Sequence, residues 1–220
     1  MHVEPLEVPL PAAPTLRGQR WADDPRAPRQ VLLLHEPGLD LDAWRDLPAL
    51  LAADGYAALP FDLPGHGLSD DPWEPARLPA LLRALLASPP LRDAQQRFLL
   101  AAGPSAGAAL LAAATAGHPT RRAAPREDPA PLLDALVCFS PRLGPADLPR
   151  LGASRQPKLL LVGAADPVSL AAAQEVARAC GGWTALSTFP VPEQGAALLT
   201  SDWSAQAREQ TLLFLRHQRR

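Results

Sequence analysis

The stretch Leu99–Leu111, LLAAGPSAGAALL, decides the fold. Its first residues form an apolar run of strand length, GPSAG (Gly103–Gly107) interrupts it with small residues, and the alanine-rich remainder has high helix propensity. It reads as a buried strand, a G-x-S-x-G turn and a helix from Ser105 to Gly117. The same alternation extends outward. Glu4–Val8 and Thr15–Trp21 suit an antiparallel opening hairpin. Gln30–Glu36 (QVLLLHE), Tyr56–Asp62 (YAALPFD), Arg97–Gly103, Leu132–Ser140 and Lys158–Ala164 are apolar runs of core-strand type, with a further strand near Trp183–Phe189. Helical patterns lie between them at Asp40–Asp54 (Trp44, Leu47, Leu50 and Leu51 on one face, Gly55 as the stop), Ala76–Ser88 and Val168–Cys180, and a last helix starts near Ser204. Strands without alternation, separated by helices, predict an α/β class: a mostly parallel sheet covered on both faces. His118–Pro131 is polar and proline-rich, as an exposed loop would be.

Composition narrows the classes of function. At 220 residues the chain suits one domain, 1–220, with a full core. A net charge of −2 argues against a polyanionic partner or an anionic membrane surface, and 5% aromatic residues weaken any case for stacking on nucleic-acid bases. No apolar run reaches the ~18 residues needed to span a bilayer. The N-terminus lacks the basic and apolar regions of a signal peptide. A cytoplasmic protein is expected. Cys138 and Cys180 show no C-x-x-C spacing and read as ordinary buried thiols. Lys158 is the only lysine in an arginine-rich chain, a bias compatible with a GC-rich bacterial genome. No ligand-spaced His/Asp/Glu cluster, G-x-G-x-x-G or phosphate loop occurs, so neither metal nor cofactor is expected.

Four motifs in this order resemble the α/β-hydrolase fold over nearly the whole chain: LLLHEPGLDLDAW from Leu32, FDLPGHGLSD (Phe61–Asp70), GPSAG and LLLVGAADPV (Leu159–Val168). The resemblance implies an eight-stranded, mostly parallel sheet with helices on both faces and little or no cap. It makes Ser105 the nucleophile of a strained elbow, with small neighbours at Gly103 and Gly107, Pro104 lining the pocket and the N–H of Ala106 as an oxyanion donor. It makes Asp166 the acid that orients a histidine. The same residue could also cap the helix that follows, opened by Val168.

The same resemblance exposes departures. The position that should hold the histidine, in PEQGAALLT (Pro192–Thr200), matches Gln194, whose carboxamide cannot take a proton near neutral pH. Gln194 could still bridge Asp166 and the Ser105 hydroxyl. In the oxyanion loop after His35, Glu36 stands where the family has glycine, and Pro37 has no N–H to donate. Among the histidines, His66 is the best candidate for a recruited base and otherwise forms a turn. The expectation is a catalytically lapsed hydrolase-fold protein that binds a small ester-like ligand or a protein partner. The alternative is a small carboxylesterase or thioesterase-like enzyme using Ser105 with His66 or His35. Neither nucleic acid nor membrane is expected as a partner, and oligomeric state stays open.

Overall fold

The computed structural model describes residues 1–10, 13–24, 26–115 and 133–219. The predicted loop at His118–Pro131 and the end of the helix that precedes it lie outside this range. Strands β1 (His2–Val8), β2 (Leu16–Ala22), β3 (Arg29–Leu34), β4 (Ala57–Phe61), β5 (Gln96–Ala102), β6 (Ala135–Phe139), β7 (Lys158–Gly163) and β8 (Thr184–Phe189) form a single sheet. Their order is β1-β2-β4-β3-β5-β6-β7-β8. The first two strands pair antiparallel, as does β2 with β4; every pairing from β4 through β3 to β8 is parallel. The helices are α1 (Leu47–Ala53), α2 (Leu78–Leu86), the short α3 (Pro89–Arg92), α4 (Gly103–Thr115), α5 (Pro167–Ala179) and α6 (Ser204–His217).

The continuous apolar runs have a direct cause. In β3, Leu32 and Leu34 join a core with α2, α4 and Val176 of α5, while Val31 and Leu33 point the other way into a core with α1 and α6. A strand buried on both faces has no polar side to alternate with. Between β6 and β7 the chain forms only a six-residue 3-10 turn, Leu148–Ala153, so no helical cap is inserted there. Among the described residues no helix is long and apolar enough to cross a membrane.

One predicted helix is broken. The pattern at Asp40–Asp54 forms a 3-10 turn (Leu41–Trp44), capped by Asp40 accepting from the Asp42 N–H, and then α1. Arg45 separates them at φ +54°. Trp44, Leu47 and Leu51 are buried as expected, whereas Leu50 reaches solvent.

Lys158 at the start of β7 is fully buried. Its ammonium donates to the carbonyl oxygens of Gln156 (2.6 Å), Gly181 (2.8 Å) and Ser154 (3.3 Å), so all three protons have acceptors. Burial holds its pKa below the ordinary lysine value.

Strand order reverses at β3, which has β4 on one side and β5 on the other. In open parallel sheets the crevice at the carboxyl ends of strands beside such a reversal is where ligands bind. The loop after β3 and the turn after β5 meet there, which places Glu36 against Gly103.

Candidate active site

The turn from β5 into α4 is built as an elbow, but two residues earlier than the motif suggests. Helix α4 starts at Gly103, and Gly103 itself carries the left-handed conformation, φ +55°. In a nucleophile elbow the residue at that strained turn presents its side chain above the sheet. Here it has none. Ser105 lies inside the helix and is fully buried; its hydroxyl donates to the His35 carbonyl at 2.7 Å. Its expected projection into a site is therefore corrected: the hydroxyl ties α4 to the end of β3. Ala106 is buried in the core beside it, and Pro104 is exposed at the helix start. Gly107 allows a different close approach, since a β-carbon there would collide with the Arg142 backbone oxygen.

A parallel displacement occurs at the predicted histidine position. Gln194 does not join Ser105 to Asp166. Its Nε2 donates to the carbonyls of Gly163 (2.8 Å) and Pro192 (3.1 Å), and its Oε1 accepts from the Ser140 hydroxyl (2.7 Å). The next residue, Gly195, is left-handed at φ +57°. Its N–H donates to Ser140 Oγ at 2.9 Å. Ser140, at the end of β6, is itself held at φ +46°, an uncommon conformation for a residue with a side chain. It pins the Gln194–Gly195 turn from below.

Glu36 occupies the space between the two glycines. A β-carbon placed on Gly103 would lie 2.7 Å from Glu36 Oε2, and one placed on Gly195 would overlap both oxygens of the same carboxyl group. The Glu36 side chain thus points inward and is half-buried. Burial raises its pKa above the ordinary glutamate value, opposed by the Ala196 backbone N–H and by the charge of Arg142. Arg142, on the loop after β6, is exposed, and its backbone N–H donates to the Gly103 carbonyl at 3.1 Å.

Asp166 serves as the N-cap of α5. Its Oδ1 accepts from the Val168 N–H (3.0 Å) and its Oδ2 from the Ser169 hydroxyl (2.7 Å). The Ser169 hydrogen bond is the main reason its pKa lies below the usual carboxylate value. Of its two expected roles, the cap is the one its hydrogen bonds fill.

Both candidate histidines are engaged at both nitrogens. The Leu63 N–H donates to His35 Nε2 (3.0 Å), which leaves the ring proton on Nδ1, facing the Glu36 carbonyl (2.9 Å). The Gly38 N–H donates to His66 Nε2 (2.9 Å), so His66 Nδ1 donates to the Pro64 carbonyl (2.8 Å). His35 is fully buried, and burial lowers its pKa. The two rings pack edge to face with centroids 5.5 Å apart. They fasten the loop after β3 to the PGHG loop, and the recruited-base role expected for His66 finds no free nitrogen. Among the described residues no group of three metal-ligating side chains comes together.

Sequence reasoning missed Gly195, Ser140 and Arg142, and it took Gly103 as a neighbour of the turn when it is the turn. A signal for the placement of the turn was present: proline is favoured at the first position of a helix, so Pro104 marks Gly103 as the turn.

No family model matches the chain, and no curated protein matches it by sequence. Solved structures do match its fold. A predicted CIB-like hydrolase from Thermoplasma acidophilum aligns with TM-score 0.75 at 16% identity, covering 99% of both chains. The dienelactone hydrolase from Anabaena variabilis gives TM-score 0.75 at 20% identity, over 98% of this chain and 97% of the other. The enol-lactonase from Burkholderia xenovorans gives 0.71 at 14% identity, over 96% and 99%. The strand order, the elbow after β5 and these likenesses agree: the chain has the α/β-hydrolase fold.

Proposed function

We propose that this protein does not carry out serine acyl transfer and acts instead by binding a ligand or partner at the carboxyl end of its sheet. The observation that carries this reading is the Glu36 carboxyl group, seated where side chains at positions 103 and 195 would project. Acyl transfer needs a nucleophile and a base within reach of each other, and both elements of backbone that could present them here are glycine. The donors are missing too. An oxyanion hole takes one N–H from the residue after the elbow and one from the loop after β3. Those positions are Pro104 and Pro37. Each lost donor costs about 10²–10³ in rate. A carboxyl group at the centre of the site also opposes a developing oxyanion.

The surface that remains is an open groove of about 640 Å³ beside the site, lined by Gly38, Asp40, Arg45, His66, Ala196 and Thr200. It is open and carries both polar and apolar groups, which supports binding of a small ligand or of a partner's loop over sequestration of a lipid. The test is hydrolysis of p-nitrophenyl butyrate and of a small lactone, the second probe suggested by the lactonase among the structural neighbours. The protein is expected to match the buffer blank, as is its Ser105→Ala variant. Turnover well above the blank that disappears in Ser105→Ala would overturn the reading.

A further inference from the structure

We propose that the open edge of β8 pairs with the same strand of a second copy of this chain, joining the two sheets about a twofold axis at Leu186. The proposal is independent of what the carboxyl end of the sheet binds. The two edges of the sheet are finished differently. Strand β1, at one edge, carries Glu4, Pro5 and Glu7. Charges and proline are the means by which edge strands resist pairing with another chain. Strand β8, at the other edge, reads TALSTF and carries neither. Its register shows which backbone groups are left open. The carbonyls of Trp183 and Phe189 accept from the N–H groups of Lys158 (2.9 Å) and Ala164 (2.7 Å), so the odd-numbered residues turn their N–H and C=O toward β7. By the alternation of a strand, Thr184, Leu186 and Thr188 turn theirs outward.

The surroundings of this edge fit a copy of the chain. Antiparallel pairing centred on Leu186 sets Leu186 against its own counterpart and Thr184 against Thr188 of the second copy, with two backbone hydrogen bonds at each such pair. The twofold axis stands perpendicular to the sheet, so each face meets its own counterpart while the two ends of the strand exchange. The α6 face suits that exchange. At the start of β8, Trp183 is 58% exposed and stacks on Phe214 with centroids 5.9 Å apart. At its end, Trp203 is 38% exposed and packs on Phe189 with centroids 6.3 Å apart. The twofold brings each Trp183 opposite Phe189, and hence beside Trp203, of the other copy. Tryptophan is among the residues that most often anchor an interface. Beside Trp183 lies an open groove of about 550 Å³, lined by Pro157, Trp183, Gln210, Leu213, Phe214 and His217. Neither carboxylate nor guanidinium lines it among the described residues. Both arginines of α6 are tied elsewhere, Arg208 to Asp46 (2.7 Å) and Arg216 to Asp54 (2.8 Å), on either side of α1. A surface that meets its own copy cannot carry a charge at its centre without facing the like charge, and this one carries none. An extended peptide of unrelated sequence would satisfy the open backbone alone, whereas a second copy also covers both tryptophans.

The experiment is sedimentation velocity on the full chain between about 1 and about 100 μM, beside Thr188→Pro, Trp183→Lys and Leu68→Lys. The wild type is expected to sediment at twice the mass of one chain. Thr188→Pro removes an outward N–H and leaves the ladder to β7 intact, and Trp183→Lys places a charge in the groove. Each is expected to weaken the dimer about tenfold or more, with far-UV circular dichroism unchanged. Leu68→Lys makes the same kind of change at an exposed leucine on the loop after β4 and is expected to stay dimeric. A wild type that is monomeric throughout overturns the proposal and leaves the edge to a partner of different sequence. A dimer that both folded edge variants leave intact, or that Leu68→Lys dissociates equally, overturns it as well. Should Thr188→Pro fail to fold, Trp183→Lys and amide exchange of the wild type decide. The N–H groups of Thr184, Leu186 and Thr188 are expected to exchange more slowly as concentration rises, and rates that do not change with concentration refute the strand pairing.

Discussion

Placing a methyl group on Gly103 tests whether Glu36 and the elbow share one space. The Gly103→Ala change carries two separable penalties. A residue with a β-carbon in the left-handed region costs about 1–2 kcal/mol. The new carbon would also sit 2.7 Å from Glu36 Oε2 and 3.2 Å from Glu36 Cβ, so the side chain must leave. Forcing an extra carbon into an occupied space costs about 1–3 kcal/mol. The single change should therefore destabilise the fold by about 2–5 kcal/mol. In a Glu36→Ala background the collision is gone, and only the conformational penalty of about 1–2 kcal/mol remains. A double-mutant cycle by urea denaturation should then show a coupling of about 1–3 kcal/mol. Additivity within about 0.5 kcal/mol would refute the shared space, because that is how independent sites behave.

Other consequences can be measured on the same protein. Ser105→Ala should lose about 1–3 kcal/mol in urea denaturation, because the buried His35 carbonyl loses its donor; an unchanged midpoint would show that the hydroxyl is not fastening α4. Burial raises the Glu36 pKa in the folded state, so the folded protein holds this proton to higher pH than the unfolded chain does. The corresponding stability is present below the unfolded glutamate value near 4.5 and is lost as pH rises through the folded one. Glu36→Gln cannot ionise, so its urea midpoint relative to the wild type should climb between pH 4 and pH 7, and a constant difference would contradict the burial. Lys158→Met should destabilise by about 3 kcal/mol or more, since three buried carbonyls lose their donor. Lys158→Arg should not restore the loss, because a planar fork cannot aim at three acceptors around one nitrogen; full recovery by arginine would remove the geometric argument.

Much of the fold was legible because burial on both faces leaves a direct mark. Every strand from β3 to β7 is an apolar run, and each appeared within a few residues of its place. The failures share one cause, which is that a backbone conformation is not written in hydrophobic pattern. Helical spacing from Trp44 to Leu51 survives across Arg45 although the helix does not, because the 3-10 turn and α1 both keep their apolar residues facing the same core. At the elbow, Ala101-Ala102-Gly103-Pro104-Ser105 and Gly103-Pro104-Ser105-Ala106-Gly107 are both small-x-x-x-small frames. A serine at the centre of the second draws attention to it.

What selects between those frames is the cost of a positive φ. Glycine adopts it freely, and proline at the next position is preorganised to begin the helix. The turn falls on Gly103 for that reason, and Ser105 is carried half a turn inside. The same economy operates at the other side of the site, where Gly195 takes the left-handed position and Gln194 turns down to Ser140 and Gly163. Glu36 then ceases to be an isolated oddity in the oxyanion loop. With no side chain at 103 or 195, the crevice at the strand ends would be an empty polar space, and Pro37 and Pro104 offer it no N–H. The Glu36 carboxyl group, reaching in from the loop after β3, fills it. Restoring catalysis would accordingly require removing Glu36 before any serine or histidine is introduced, and Gln194→His alone should leave the ester blank unchanged. A gain of turnover from that single change would show that the base position is 194 after all, and that the elbow is served by Ser105 in a conformation different from the one seen here.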